Sequence, residues 1–269
     1  MPRHVLIAFS VLVICGRTST AQAAPASVPD FPPGSLSVAR LIAAPAAADG
    51  SWTIGVSVVL KPKAITYWRD PGEAGVPPSF DFSSSTNVAR ADVAFPTPKH
   101  IHEGDIDAIG YENSVVFPVR ITPAKAGEPA VVRLKFNYAT CERICLPAHA
   151  DLTLDLPASA QTMDTAAIAA AVAAVPRVIA GDAVTQVADV VPRKDGEALS
   201  WTVTPKAAGT DAKLFAEAPD GFFLATKREG EMFRVSVAEH PAGRPAPETI
   251  RLTLARPGEA VEFTVKGAP

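Results

Sequence analysis

The stretch of the chain that decides its fold is Asn137-Tyr-Ala-Thr-Cys-Glu-Arg-Ile-Cys-Leu-Pro147. It contains Cys141 and Cys145, the only cysteines outside the first 15 residues. The segments on either side, residues 132–138 and 151–156, alternate apolar and polar residues, as half-buried β-strands do. The two cysteines therefore lie where one predicted strand ends and the next begins.

A disulfide between Cys141 and Cys145 requires the chain to turn between them. In an extended chain, residues four apart lie about 13 Å from each other, whereas the Cα atoms of a disulfide lie within about 7 Å. Closing so short a loop stabilises a fold by only about 2 kcal/mol, and the charge of Arg143 favours a nearby thiolate. Such a pair at an exposed tip is typical of a redox-active bond. A plain hairpin staple and two ligands of a soft metal site are the alternatives.

The N-terminus has the pattern of a secretory signal peptide. A short basic end is followed by an apolar run over residues 5–15 and by Ala21-Gln-Ala23, a typical cleavage site. We therefore expect residues 1–23 to be removed and the protein to be exported to the periplasm, where disulfides form. No later stretch is apolar and long enough to predict a membrane span. The net charge of −3 argues against a nucleic-acid partner.

The rest of the chain predicts an all-β protein with one helix. Residues 24–34 are rich in alanine and proline and are expected to form a flexible leader. Residues 35–157 contain about eight alternating segments, which predict an immunoglobulin-like β-sandwich. The alanine-rich segment 158–177, with Pro176 near its end, predicts a linker helix. About six further strands over residues 178–269 predict a second, smaller β-sandwich domain.

Residues 96–111 interrupt the alternation and are expected to form a loop. This loop contains His100 and His102, and two histidines one residue apart suit copper or zinc. Together with Cys141 and Cys145 they make an alternative metal site with two sulfur and two nitrogen ligands. Solvated histidines in a polar loop are the simpler explanation of the same pattern.

Three further side chains are candidates for tuning the cysteine pair. His149 lies just after Pro147 and is either a group that adjusts cysteine reactivity or an ordinary surface histidine. Tyr67 and Trp68 are aromatic residues near predicted loops. They either wall off the cysteines or fill the core, which is the usual place for such residues.

Three blocks of sequence carry a resemblance to a known family. They are Thr66-Tyr-Trp-Arg-Asp-Pro-Gly-Glu-Ala-Gly-Val-Pro-Pro-Ser-Phe80, Ile109-Gly-Tyr-Glu-Asn-Ser-Val-Val-Phe-Pro118 and Phe136-Asn-Tyr-Ala-Thr-Cys-Glu-Arg-Ile-Cys-Leu-Pro147. In this order they resemble the periplasmic N-terminal domain of the thiol:disulfide interchange protein DsbD, and more closely its variant in ScsB-type proteins. The resemblance covers residues 35–157 and implies an immunoglobulin-like domain.

The resemblance implies that Cys141 and Cys145 are the redox pair of an electron relay. In that family the pair takes electrons from a membrane-embedded thiol–disulfide donor and passes them to periplasmic thioredoxin-like proteins, without a cofactor. Tyr67 and Trp68 would then be packing residues near the pair. A loop that caps the cysteines and moves aside for partners is also implied. Its counterpart here comprises His102, Glu103, Gly104, Asp105, Ile106, Asp107, Ala108 and Ile109.

The sequence departs from that family in two respects. It shows neither the multi-helix membrane domain nor the thioredoxin-like domain of the full-length proteins, and its cysteines are closer together than in the best-known members. We therefore expect a protein-disulfide reductase-type component that depends on other proteins for its electrons. The alternatives are a periplasmic copper-handling or metal-tolerance protein and a non-catalytic interaction module with a structural disulfide. On sequence grounds either cysteine can be the nucleophile.

Overall fold

Two β-sandwiches follow each other along the chain. The computed structural model describes residues 30–72, 75–103, 106–157, 159, 162–195, 198–206, 211–219, 221–239, 241–245 and 247–267. The predicted signal peptide, residues 1–23, and residues 24–29 of the predicted leader lie outside them. The described residues form eighteen β-strands and two short α-helices. The prediction of an all-β protein with two sandwiches is confirmed.

Ten strands in the described part of the chain build the first sandwich. They are β1 (Ser37–Ala43), β2 (Trp52–Leu60), β3 (Ile65–Gly72), β4 (Ser79–Asp81), β5 (Arg90–Val93), β6 (Lys99–Glu103), β7 (Ile106–Glu112), β8 (Ser114–Thr122), β9 (Ala130–Cys141) and β10 (Cys145–Leu156). One sheet has the order β1-β2-β8-β5, and the other has the order β10-β9-β3-β7-β6, with β4 paired to β9. Alternating apolar residues of both sheets meet in one core, among them Val56 from β2 and Leu134 from β9.

The prediction of a loop over residues 96–111 is wrong, because most of this segment is an antiparallel hairpin of β6 and β7. His102 pairs with Asp107 in the hairpin, whose residues 104–105 lie outside the described chain. The strand pattern is weak because β6 lies at the edge of its sheet. Within the described residues of β6 only Ile101 is buried, so a single apolar residue carries the alternation.

The predicted linker is a short helix fixed to the first sandwich. This helix, α1 (Thr165–Ala173), is shorter than predicted, and the carboxylate of Asp164 caps its N-terminus. The backbone N–H of Asp164 donates to the carbonyl of Ala43 (3.0 Å), and that of Thr97 donates to the carbonyl of Ala174 (2.8 Å). Both ends of α1 are therefore tied to the first sandwich. Neither helix in the described residues is both long and apolar enough to span a membrane.

The second sandwich is the smaller one and follows α1. Its elements in the described residues are β11 (Arg177–Val178), α2 (Asp182–Val187), β12 (Ala188–Asp195), β13 (Ala198–Pro205), β14 (Lys213–Glu217), β15 (Phe223–Glu229), β16 (Met232–Glu239), β17 (Thr249–Arg256) and β18 (Glu259–Lys266). Its sheets have the orders β11-β18-β17-β14 and β12-β13-β16-β15. The six predicted strands correspond to β13–β18. The pattern does not predict β12 because Pro192 interrupts it, and a proline is tolerated at this sheet edge.

The two sandwiches meet along β3 and β14. Phe215 from β14 is 1% exposed and packs into the core of the first sandwich, where its ring centroid lies 5.7 Å from that of Trp68. Arg69, next to Trp68, donates two hydrogen bonds to the carboxylate of Glu217 (2.8 and 2.7 Å) and another to Glu262. Burial lowers the pKa of Arg69, but the hydrogen bonds and charges of the two glutamates outweigh burial and raise it above its ordinary value. Arg69 therefore stays charged and joins the two sandwiches.

Candidate redox site

The two cysteines form the last residue pair of the β9–β10 hairpin. Cys141 pairs with Cys145 across the strands, their Cα atoms are 4.1 Å apart, and their sulfurs are joined in a disulfide. Residues 142–144 make the turn. The strands pair over their whole length, from the cysteines back to Ala130 and Leu156. The turn that the short cysteine spacing requires is therefore the end of a long, regular hairpin.

The two ends of the disulfide differ in exposure. Cys141 is 4% exposed, whereas Cys145 lies on the surface. Its neighbours Ile144, which is 72% exposed, and Leu146 are also accessible to solvent. A thiolate of another protein can therefore approach the disulfide at Cys145, while Cys141 is covered by its own chain.

The hydroxyl group of Tyr67 lies against both sulfurs. It donates a hydrogen bond to Cys141 Sγ (2.8 Å), and its oxygen is 3.3 Å from Cys145 Sγ. The ring is buried, and the segment after β3 packs on it at Gly75. A Cβ atom at Gly75 would lie 2.3 Å from a ring carbon of Tyr67, and the positive φ of 122° also favours glycine. Glycine at this position is what allows the chain to cross Tyr67 so closely.

Trp68 is placed on the other face of β3. Successive side chains of a strand point to opposite faces, so Tyr67 faces the disulfide and Trp68 faces the main core. Trp68 is fully buried there and packs against Phe215. The structure therefore separates the two aromatic residues that the sequence grouped around the cysteines.

The β6–β7 hairpin covers Cys141. Ile101 from β6 and Ala108 from β7 are buried and form a small apolar cluster with Tyr67 and Cys141, apart from the main core. Sequence reasoning missed Ile101, because it precedes the predicted cap. The single apolar residue among the polar side chains of residues 99–102 was the available signal.

The predicted cap, residues 102–109, is divided by this arrangement. Ala108 reaches the cluster over Cys141, whereas His102 is exposed and Ile109 packs against the main core. The side chains of residues 103–107 lie outside the described residues. Among the described side chains of the hairpin, one from each strand therefore lies over Cys141: Ile101 from β6 and Ala108 from β7.

Arg143 and His149 occupy different parts of the β9–β10 surface. Arg143 is exposed in the turn between the cysteines. His149 is farther along β10, where Nδ1 lies 2.7 Å from Asn137 Oδ1 and Nε2 lies 3.1 Å from Asp151 Oδ2. The imidazole of His149 is therefore held by neighbours on its own hairpin, and Arg143 is the predicted tuning charge that remains beside the pair.

His100 faces the second sandwich. Its ring is stacked on that of Phe215, with centroids 4.6 Å apart, and its Nε2 atom lies 3.2 Å from the carbonyl oxygen of Leu214. Across the described residues, no group of three or more His, Cys, Asp or Glu side chains is arranged to hold a metal ion. His100, His102 and the two cysteines are therefore not gathered into the alternative metal site. His240, the histidine of the second sandwich region, lies outside the described residues.

Comparison with known proteins agrees with this geometry. The family model described as thiol:disulfide interchange protein DsbD, N-terminal, matches residues 36–157. The first sandwich is a DsbD N-terminal-like domain. In this domain the disulfide of Cys141 and Cys145 lies at the tip of the β9–β10 hairpin. A search of curated proteins found no match.

Solved structures extend the likeness to both sandwiches. The crystal structure of the N-terminal periplasmic domain of ScsB from Proteus mirabilis is similar to 89% of this chain over 96% of its own, with a TM-score of 0.70 and 20% identity. At that identity the likeness establishes the shared fold. The DsbD N-terminal domain of Neisseria meningitidis, in the reduced form, aligns with 47% of this chain over 88% of its own, with 21% identity. Its TM-score of 0.27 carries no argument.

Replacing Tyr67 by phenylalanine is expected to slow reduction of the disulfide by about tenfold to a hundredfold. When Cys145 is attacked, Cys141 leaves as a thiolate, and a hydrogen bond to a charged group is worth roughly 1.5–3 kcal/mol. The measurement is the rate of reduction by dithiothreitol at fixed pH. Tyr138→Phe is the matched control, because the Tyr138 hydroxyl bonds to Ser37 Oγ (2.8 Å) and not to sulfur. Equal rates for the two variants would contradict the assigned role of Tyr67.

Proposed function

We propose that the chain is a periplasmic thiol–disulfide relay protein, in which Cys141 and Cys145 exchange electrons with a membrane-embedded donor and with thioredoxin-like proteins. The observation that carries this proposal is the one-sided exposure of the disulfide. Cys145 is open to another protein, while Cys141 is covered by Tyr67 and by the β6–β7 hairpin. A relay needs one sulfur that partners can reach and a second that resolves the mixed disulfide.

The relay runs in two exchanges that conserve electrons. A donor thiolate attacks Cys145 Sγ, the Cys141–Cys145 bond breaks, and Cys141 leaves as a thiolate. The second donor thiol attacks the donor sulfur and releases Cys145, so two electrons and two protons reach this chain. Then Cys145 attacks the disulfide of a thioredoxin-like protein, and Cys141 resolves the new mixed disulfide by re-forming the original bond.

A purely structural role for the disulfide explains the arrangement less well. The β9 and β10 strands already pair along their full length, so their register does not depend on a covalent bond at the tip. Loop entropy allows so short a bridge to add only about 2 kcal/mol. A stabilising bridge also has no need for a hydroxyl group placed against both sulfurs.

A periplasmic location supports the same proposal. The N-terminal sequence has the basic, apolar and Ala-x-Ala regions of a secretory signal peptide. The similar ScsB structure is that of a periplasmic domain. Disulfides form and persist in that compartment, which a protein that alternates between dithiol and disulfide requires.

The proposal is tested by the reduction potential of the Cys141–Cys145 pair and by exchange with a purified thioredoxin-like protein. We expect a potential above about −300 mV, because structural disulfides of exported proteins lie below that value. We also expect reduced protein to lose its thiols to the oxidised thioredoxin-like protein in a one-to-one reaction. A potential well below that limit, together with no exchange, would show that the disulfide is structural.

A further inference from the structure

One strand of the second sandwich contacts both elements that cover the disulfide. Phe215 of β14 stacks on His100 of β6. Glu217 of β14 accepts a hydrogen bond from Arg69 of β3. β3 holds Tyr67 against the sulfurs, and β6 carries the apolar cover of Cys141. The second sandwich is therefore in direct contact with the support of the redox site, although none of its residues touches a cysteine among the described contacts.

The contact with β6 is specific in geometry. The His100 and Phe215 rings are nearly parallel, with an interplanar angle of 14° and centroids 4.6 Å apart. The Nε2 atom of His100 adds a polar contact with the carbonyl oxygen of Leu214 at 3.2 Å. A flat stack with a polar contact at its rim fixes the ring in position and orientation, and thereby fixes the backbone of β6 at His100.

The next residue along β6 covers the disulfide. Side chains alternate along a strand, so His100 faces the second sandwich and Ile101 faces Cys141. β6 is the edge strand of its sheet and is paired on one side only, to β7. Phe215 packs on the His100 side chain of this edge strand, so loss of that contact would remove one support of the strand that carries Ile101.

We propose that Phe215 is a positioning residue for the redox site: by holding His100, it sets how tightly Ile101 and Ala108 cover Cys141. This inference rests on the proposed function and assigns a role to the second sandwich within it. The second sandwich keeps the covered state of the disulfide dominant. When a partner attacks the exposed Cys145, release of the Cys141 thiolate from under the cover must then work against the stack between His100 and Phe215.

The test compares Phe215→Ala, His100→Ala and His100→Phe with the unaltered chain, each as the full protein. The measurement is the rate at which the small reductant tris(2-carboxyethyl)phosphine reduces the disulfide. The phosphine supplies both electrons and takes oxygen from water to become its oxide. We expect Phe215→Ala and His100→Ala to react about fivefold to tenfold faster, since each loses an aromatic contact that holds the cover closed. His100→Phe keeps the stack and is expected to react at nearly the original rate.

Phe223→Ala is the matched control, because Phe223 belongs to the same sandwich but is exposed on β15. It is expected to leave the rate unchanged. Amide hydrogen exchange provides the second readout: β6 should exchange faster in His100→Ala but not in His100→Phe. The reduction potential should stay the same in all variants, because loosening the cover over Cys141 lowers the barrier to exchange equally in both directions.

The outcomes separate this inference from the proposed function. If Phe215→Ala does not fold, His100→Ala decides, because His100 is only partly buried. Folded His100→Ala protein with an unchanged rate and unchanged β6 exchange would overturn the positioning role. Because the phosphine assay needs no protein partner, that result would leave the relay intact. Failure of the unaltered chain to exchange with thioredoxin-like proteins would instead overturn the proposed function. The effect of the His100–Phe215 contact on the rate of reduction by the phosphine could still be measured.

Discussion

Replacing Cys145 by serine is expected to abolish disulfide exchange, while replacing Cys141 by serine is expected to trap partners as stable mixed disulfides. The difference follows from exposure. With Cys141→Ser the accessible thiol at Cys145 still attacks a partner disulfide, and the product persists when the partner also lacks its second cysteine. With Cys145→Ser the remaining thiol is the 4% exposed Cys141, under Tyr67 and the β6–β7 hairpin.

The measurement is electrophoresis without reductant after incubation with a thioredoxin-like protein that keeps only its nucleophilic cysteine, activated as a mixed disulfide with a small thiol that leaves on attack. A chain lacking both cysteines is the control and should give no adduct. We expect a one-to-one adduct with Cys141→Ser that disappears on adding dithiothreitol, and little or none with Cys145→Ser. Equal adducts with both single variants would show that the cover over Cys141 does not direct the reaction.

Replacing Arg69 by alanine is expected to lower the free energy of unfolding by about 3 kcal/mol, the lower end of the range for breaking a buried ion pair. The side chains of Arg69, Glu217 and Glu262 are 23%, 11% and 15% exposed. Without Arg69 the one cation that the described residues still offer the two carboxylates is the more distant guanidinium of Arg251, whose nitrogens lie 3.7 Å from each. Two largely desolvated carboxylates would then share one weakly placed cation.

The free energies are measured by urea denaturation. Arg120→Ala is the control, because the Arg120–Asp49 ion pair has side chains that are 58% and 57% exposed and should contribute little. Combining Arg69→Met with Glu217→Gln and Glu262→Gln should recover part of the loss, because no desolvated carboxylate is left without its cation and Arg251 is 49% exposed. A loss no larger for Arg69→Ala than for Arg120→Ala would show that the network does not hold the sandwiches together.

Much of the fold could be predicted because most strands have one face in a core and one face in water. Eight of the ten strands described in the first sandwich coincide with strands predicted from the sequence. The β6–β7 hairpin does not, because its described apolar side chains are divided between the small cluster around Cys141, where Ile101 and Ala108 lie, and the main core, where Ile109 packs. β12 was hidden for a different reason, since its edge position tolerates Pro192.

The site could be predicted only in its local part. The spacing of Cys141 and Cys145 was sufficient to require a turn, and the strands around them located it. The separation of Tyr67 from Trp68 follows from strand alternation once β3 is known to pass beside the cysteines. The contact of Phe215 with His100 joins residues far apart in the chain, and no periodic pattern carries that information.

The packing of Phe215 into the first sandwich has a consequence for how this chain can be divided. A piece ending near residue 157 would contain the DsbD N-terminal-like domain complete in sequence, yet it would lose the packing of Phe215 on Trp68 and would leave Arg69 without its two carboxylates. Such a fragment would be expected to be less stable than the first sandwich in the whole chain, because a buried aromatic contact and two ion pairs are lost. The pair of sandwiches is therefore the smallest unit that can be transferred to another protein with the surroundings of Trp68 and Arg69 unchanged.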